Sequence, residues 1–239
     1  HNVLIWTGVP YAKAPTDELR WKKPVNPDKW SGILNTEKPG NIALQASGDG
    51  ITGSEDCLNL DIYRPNTDSK NLPVILYIHG GNNQGGKSAE ITGNALVNDL
   101  DAIFISVNYR LGPLGFNPLP ALNTGDNEED SGNYALLDMV KALDWTKNNI
   151  ANFGGNPENI TISGFSAGGR DVMAMLISPT FQGKFQKAVS FSGGMTIADK
   201  AASEKVFAKA IAPLAVQDNI KKNEQEAYKW LLTDRKSTR

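Results

Sequence analysis

The sequence is short of cysteine and histidine, and both shortages exclude kinds of site. Of its 239 residues only Cys57 is a cysteine, so no intrachain disulfide can form. The two histidines are His1 and His79, and no Cys/His cluster has the spacing of a metal site. No metal or cofactor is therefore indicated. The free thiol and the absence of a secretory signal lead us to expect a reducing, cytoplasmic location.

The chain also lacks an excess of either charge and any long apolar run. It carries 24 Lys and Arg against 26 Asp and Glu, a formal net charge of −2. That balance argues against nucleic acid or an anionic membrane as a partner. The apolar runs at residues 74–78 and 103–107 are far shorter than the roughly 20 residues that span a bilayer. The remaining composition, 40% hydrophobic with 23 Gly and 13 Pro, is typical of a globular protein.

The pattern of apolar residues predicts an α/β fold. The short apolar runs at 74–78 and 103–107 are typical of strands buried on both faces of a parallel sheet. The other predicted elements are strands at 58–63, 160–163 and 188–191, and helices within 91–99 and at 132–150, 167–177, 199–211 and 223–233. The first fifty residues, rich in proline, are predicted to be irregular. We expect residues 1–239 to belong to a single α/β domain with a mainly parallel sheet flanked by helices and no internal boundary.

The strongest local motif is Gly-Phe-Ser-Ala-Gly at residues 164–168, which fits G-x-S-x-G. It lies between a predicted strand and a predicted helix, the context of a nucleophile elbow. Such a turn presents the hydroxyl of Ser166 above the helix N-terminus, where the N–H of Ala167 can point at an oxyanion. The alternative is an ordinary Gly/Ser turn, and the flanking strand and helix favour the elbow.

A second motif, His-Gly-Gly-Asn at residues 79–82, follows the predicted strand 74–78 directly. A glycine-rich loop exposes backbone N–H groups, and esterases use such a loop as the other half of the oxyanion hole. Alone, the motif would indicate a simple glycine turn. Together with the elbow, it favours an oxyanion loop in which His79 shapes the backbone by hydrogen bonding.

These motifs form part of a longer series. The chain resembles the N-terminal half of the type-B carboxylesterases, α/β-hydrolases that include para-nitrobenzyl esterases and cholinesterases. The matching stretches occur in family order between residues 4 and 194: 8–12, 19–21, 54–58, 78–81, 107–112, 114–116, 132–133, 149–150, 153–157, 164–169 and 192–193. The resemblance implies an α/β-hydrolase fold and a serine carboxylesterase acting on small-molecule esters through an acyl-enzyme.

The resemblance also assigns roles to individual residues. It makes Ser166 the nucleophile, and it makes the N–H groups of Gly81, Asn82 and Ala167 the oxyanion-hole donors. It further implies an Arg20–Glu55 ion pair that ties the N-terminal segment to the segment containing Cys57. For that pair, a loose surface contact is the alternative.

Three positions depart from the family pattern. Asn82 stands where the family usually has a third glycine. Asparagine tolerates positive φ better than most residues, so we expect the oxyanion hole to survive with the Asn82 side chain intruding on the acyl site. Phe165 replaces a glutamate before the serine, which makes the site more apolar. Ala43 occupies the position of the usual disulfide partner of Cys57, so Cys57 is expected to be a buried free thiol.

The sequence holds a nucleophile without its base. Serine needs a histidine oriented by a carboxylate, and in this fold the order is Ser, acid, His. No histidine follows Ser166. The resemblance places the acid and the histidine beyond residue 239. We therefore expect the chain to be a fragment, incomplete at both ends, nearly inactive alone, with the remaining half of the parent chain as a partner.

The alternative function is a catalytically dead, cholinesterase-like binding or adhesion protein on the same scaffold. It would explain Asn82 and Phe165 as signs of a decayed site. The intact elbow with Ser166 favours the esterase, because decayed members commonly lose the serine.

Overall fold

A computed structural model describes residues 2–48 and 50–233 of the chain. The strands are β1 (Val3–Pro10), β2 (Gln45–Ser47), β3 (Gly50–Thr52), β4 (Asn59–Pro65), β5 (Leu72–Ile78), β6 (Ile103–Val107), β7 (Gly155–Phe165) and β8 (Lys187–Phe191). The α-helices are α1 (Leu96–Leu100), α2 (Gly112–Gly115), α3 (Tyr134–Asn149), α4 (Ala167–Ile177), α5 (Lys200–Gln217) and α6 (Glu224–Leu231). In the described part of the chain, no helix has both the length and the apolar character to cross a membrane.

Within the described residues, six strands form one sheet in the order β1-β4-β6-β5-β7-β8. The pairs β6–β5, β5–β7 and β7–β8 are parallel, whereas β1–β4 and β4–β6 are antiparallel. The prediction of a mainly parallel sheet flanked by helices is thus confirmed. Strands β2 and β3 form a separate antiparallel hairpin.

The core lies around the central strands β5 and β6. Every residue of β6 is buried, and its predicted bounds agree with the structure. Strands covered on both faces have no polar side, which is why this segment is a continuous apolar run. Helices α3 and α4 add buried side chains to the same core: Met139, Leu143, Val172 and Met175.

The prediction of an irregular N-terminal segment is wrong for β1. Residues Val3–Pro10 pair antiparallel with β4, and the register shifts between Trp6 and Val9. Gly8 lies within this shift at φ +66, and a Cβ there would be 2.7 Å from the backbone nitrogen of Gly40. Because most of this edge strand is only partly buried, it shows neither an apolar run nor a clean alternation.

Other element boundaries also differ from the predictions. The short helix predicted within 91–99 is α1, which begins only at Leu96, after a 3₁₀ turn at Ser88–Glu90, and ends at Leu100. Strand β7 begins at Gly155 rather than at residue 160, because Gly155 pairs with Leu72. Helix α5 continues past the predicted end to Gln217 and includes Pro213. Its alanines pack in a cluster with α6, and this tertiary packing outweighs the low helix propensity of proline.

The predicted Arg20–Glu55 ion pair is confirmed and is bidentate. Arg20 donates from Nε and Nη2 to the two carboxylate oxygens of Glu55, both at 2.6 Å. Cys57, close by in sequence, is buried and unpaired as expected. Burial raises the pKa of its thiol, which keeps the sulfur protonated and unreactive.

A second ion pair, between Arg110 and Asp138, is buried and joins the segment after β6 to α3. Arg110 donates from Nη2 at 2.7 Å and from Nε at 2.9 Å, and its backbone N–H donates to Oδ2 at 3.1 Å. The two side chains are 3% and 0% exposed. A buried pair of this kind tolerates the loss of one partner poorly.

We predict that Asp138→Ala destabilises the full-length protein by about 3–5 kcal/mol, because it leaves the Arg110 guanidinium buried without a counter-charge. Urea unfolding measures the change. The control is Asp28→Ala, which removes the exposed ion pair with Lys13. Equal losses in the two variants would contradict the prediction.

Candidate active site

The predicted nucleophile, Ser166, lies in a sharp turn between β7 and α4. It adopts φ 55 and ψ −116, and α4 begins at the next residue, as predicted. Its N–H donates to the carbonyl of Phe191 in β8 at 2.9 Å. A Cβ on Gly164 would lie 2.3 Å from the carbonyl oxygen of Gly168, so only glycine fits there. The chain therefore forms the strained strand–turn–helix that the motif predicts.

The glycine-rich loop 79–86 lies directly against this turn. Strands β5 and β7 are parallel neighbours with Ile78 opposite Gly164, so both loops leave the same edge of the sheet. A Cβ on Gly80 would lie 2.8 Å from the carbonyl oxygen of Phe165 and 3.2 Å from Cβ of Ser166. A residue with any side chain at position 80 would thus separate the loop from the serine.

The three predicted N–H donors are free to face a ligand. Within residues 2–48 and 50–233, the N–H groups of Gly81, Asn82 and Ala167 donate to no protein acceptor. The carbonyl of Gly81 instead accepts from Gln84 and Gly85, both at 3.0 Å, in a tight turn. Asn82 has φ 57, the left-handed conformation that asparagine tolerates.

His79 is held inside the protein, where it shapes the loop. Its Nδ1–H donates to the carbonyl of Gly80 at 2.8 Å, and its ring stacks on Tyr109 at 4.4 Å. The Tyr109 hydroxyl donates to the carbonyl of His79 at 2.8 Å. Burial lowers the pKa of His79 to about 4, so the ring is neutral at physiological pH. The other histidine, His1, lies outside the described residues.

Sequence reasoning missed Asn83 and Asp171. Asn83 donates from Nδ2 to Oδ1 of Asp171 at 3.0 Å and thereby links the loop to α4. Asp171 is 4% exposed, and its Oδ2 has no hydrogen-bond partner among the described residues. Burial raises the pKa of this carboxyl to about 6. One feature of the sequence could have indicated Asp171. It is an acidic residue on the buried face of α4, where the other residues, such as Ala167, Gly168 and Val172, are small or apolar.

The surroundings of Ser166 are apolar on one side. Phe165 is 50% exposed and lies beside Gly80. Phe191, opposite Phe165 in the β7–β8 ladder, is 53% exposed. In the described part of the chain, no imidazole lies within hydrogen-bond distance of the Ser166 hydroxyl. The arrangement can therefore stabilise an oxyanion next to a serine, but it contains no base for that serine.

Comparison with known proteins agrees with this geometry. The model of the carboxylesterase family matches residues 1–237. The chain is 38% identical over 227 residues to the para-nitrobenzyl esterase of Bacillus subtilis (strain 168), covering 91% of this chain and 46% of that protein. It is 40% identical over 207 residues to the pyrethroid hydrolase Ces2e of Rattus norvegicus, covering 80% of this chain and 35% of that protein.

Solved structures of PNB esterases have the same fold as this chain. A PNB esterase structure superposes with a TM-score of 0.84 at 36% identity, covering 99% of this chain and 48% of that one. A thermophilic PNB esterase superposes with a TM-score of 0.81 at 33% identity, covering 100% of this chain and 51% of that one. The central sheet and its helices thus have the α/β-hydrolase arrangement. The chain spans less than half the length of the two curated relatives.

The buried carboxyl of Asp171 predicts a pH-dependent stability. Its pKa rises from 3.8 to about 6 on folding, so the folded state holds the proton more tightly than the unfolded chain. This contribution to stability is present below pH 4 and is lost as the pH rises through 6. Asp171→Asn lacks this titration. Between pH 4 and 7, the free energy of unfolding of the variant should therefore rise relative to that of the wild type by on the order of 3 kcal/mol.

Urea unfolding of both full-length proteins at pH 4.5, 6 and 7.5 measures this difference in the free energy of unfolding. Other groups titrate in both proteins and cancel in the difference. A difference in the free energy of unfolding that stays constant with pH would show that Asp171 does not titrate in this range.

Proposed function

The chain belongs to the carboxylesterase family, and on that premise we propose that it supplies the nucleophile and the oxyanion hole of a serine carboxylesterase. One observation carries the proposal: the loop with the free N–H groups lies against the strained turn that presents Ser166. In this arrangement a carbonyl carbon at the serine hydroxyl would have its oxygen close to hydrogen-bond donors.

The proposed reaction has two steps. Ser166 Oγ attacks the ester carbonyl carbon and passes its proton to a base, and the carbonyl oxygen becomes an oxyanion. The N–H groups of Gly81, Asn82 and Ala167 stabilise that charge, and each such donor is worth on the order of 3 kcal/mol. The tetrahedral intermediate expels the alkoxide, which takes the proton from the base and leaves as the alcohol, and an acyl group remains on Ser166. Water then attacks the acyl-enzyme in the same way and releases the acid.

The base must come from another part of the protein. His79 is unsuitable, because its Nδ1 is bonded to the carbonyl of Gly80 and its ring is buried against Tyr109. We propose that a histidine and its acid lie outside residues 1–239. The share of the relatives that this chain covers supports this. The isolated chain should then be nearly inactive.

The proposed substrates are small-molecule carboxylic esters. Phe165 stands half-exposed beside Gly80 and gives the site an apolar wall, which favours an apolar group next to the ester carbonyl. No specific observation favours the binding or adhesion protein. Asn82, which that hypothesis treats as decay, keeps its N–H free at a φ that asparagine tolerates better than most residues with a side chain.

We predict that Ser166→Ala in the full-length protein lowers turnover of p-nitrophenyl butyrate by at least about a thousandfold, because the acyl-enzyme cannot form. An organophosphate should label Ser166 in the wild type and nothing in the variant, which intact mass measures. Unchanged turnover in the variant would rule out the role of Ser166 in ester hydrolysis.

We also predict that Gly80→Ala lowers kcat by on the order of a hundredfold, since a displacement of about 1 Å at a reacting centre has this effect. The new Cβ would lie 2.8 Å from the carbonyl of Phe165 and would push the loop off the turn. The matched control is Gly50→Ala, because a Cβ there would have no atom within 4 Å and the position does not require a positive φ. Similar kcat values for the two variants would contradict the proposed contact.

A further inference from the structure

We propose that Asn83 and Asp171 are a positioning pair, in which Asp171 acts through Asn83 to hold the oxyanion loop in register with Ser166. The inference rests on the proposed esterase function and deepens it. Neither residue touches the ester. Their role is to fix the direction of the N–H groups that do.

The loop needs such a support because its backbone is strained. Asn82 and Asn83 are consecutive residues with φ 57, a conformation that residues with side chains adopt reluctantly. The N–H of Asn82, one of the proposed oxyanion donors, lies in the same peptide plane as the Gly81 carbonyl, which accepts from Gln84 and Gly85. A strained backbone persists only where its surroundings determine it fully. The contacts of Asn83, the next residue, hold the chain on the other side of Asn82.

Asn83 is held at three points. Its Nδ2 donates to Asp171 at 3.0 Å, and its Oδ1 lies 3.3 Å from the Tyr109 hydroxyl. Its backbone carbonyl accepts from the N–H of Gly112 at 2.6 Å. The Tyr109 hydroxyl also donates to the carbonyl of His79, before the donor glycines, so the loop is supported on both sides of them. Of the groups that hold Asn83, Asp171 belongs to the helix that follows the serine.

The position of Asp171 explains what the pair does. Helix α4 begins directly after Ser166 and carries the Ala167 N–H at its first residue. Asp171 lies on the same helix, on its buried face. One rigid element therefore carries the nucleophile, one oxyanion donor and the acceptor that orients the loop with the other two donors. The pair thus couples the two halves of the oxyanion hole.

Asp171 is an unfavourable residue for a purely structural role. It is 4% exposed, and its Oδ2 has no partner within the described residues. A buried carboxylate with one unsatisfied oxygen costs stability that an apolar side chain at this position would not. Natural proteins keep such groups mainly at functional sites.

The test is steady-state hydrolysis of p-nitrophenyl butyrate by the full-length protein and four variants: Asn83→Gly, Asp171→Ala, the double variant and Asp171→Asn. Glycine at position 83 removes the side chain without adding strain at positive φ. We expect each single removal to lower kcat about tenfold with KM changed less than twofold, because the donors act on the transition state. The double variant should be no slower than the slower single variant, since both changes break one link.

Asp171→Asn keeps an oxygen that can accept from Nδ2 of Asn83, so it should recover most of the kcat that Asp171→Ala loses. The control is Met175→Ala, which removes a buried side chain further along the same helix. It should lower the melting temperature and leave kcat of the folded protein unchanged. If Asp171→Ala does not fold, Asn83→Gly and Asp171→Asn still test the pair.

Three results would overturn the inference: wild-type kcat in Asn83→Gly, multiplicative losses in the double variant, or an Asp171→Asn as slow as Asp171→Ala. An equal loss of kcat in Met175→Ala would assign the effect to packing of the helix instead. A wild-type protein that does not hydrolyse the ester, or an active Ser166→Ala, would refute the proposed function. If the wild type depends on Ser166 and the pair variants match it, only the inference fails.

Discussion

The parallel pairing of β5 with β7 brings the two loops of the site together. With Ile78 opposite Gly164, the chain leaves both strands at the same edge of the sheet. The start of α4 then packs over the end of β5 so closely that a Cβ on Gly168 would lie 2.1 Å from the carbonyl oxygen of Ile78. In β7, a shift of register by one residue would put Thr161 and Ser163 where Ile160 and Ile162 now pack in the core, so the register is strongly specified. The buried core of the sheet therefore fixes the geometry of the site.

The rigidity of that frame allows the site to keep conformations that would relax elsewhere. Ser166, Asn82 and Asn83 all have positive φ. Each such residue costs on the order of 1–3 kcal/mol and persists only where its surroundings leave no alternative. Here the surroundings are a ladder bond from Ser166 to Phe191 and the polar contacts of Asn83. The residues with strained backbone thus themselves make the hydrogen bonds that hold them in place.

The predictions from sequence succeeded where the cause of a structure is local. The bounds of Ile103–Val107 and Ala167–Ile177 follow from an apolar run and from a motif with its own turn chemistry. Strand β1 was missed because its residues are mostly half-buried, and its pairing with β4 depends on distant chain. The Asn83–Asp171 contact joins residues 88 positions apart, and neither residue shows its partner in the sequence. Contacts of this kind form only when the sheet assembles, so the local sequence does not predict them.

The departures from the family pattern are tolerated because the proposed site uses the backbone, not the side chain, at the positions that differ. At position 82 the proposed site uses the backbone N–H, so the requirement is a residue that accepts φ 57, and asparagine tolerates this φ better than other residues with a side chain. At position 165 the backbone carries the ladder bond of β7 to β8, and the side chain is half-exposed, so phenylalanine can stand there without moving Ser166. At position 80 the backbone itself touches the serine turn, and no side chain is tolerated. An oxyanion hole built from backbone groups therefore constrains conformation strictly and side-chain identity weakly, which is why two of its neighbours could change while the glycine at position 80 could not.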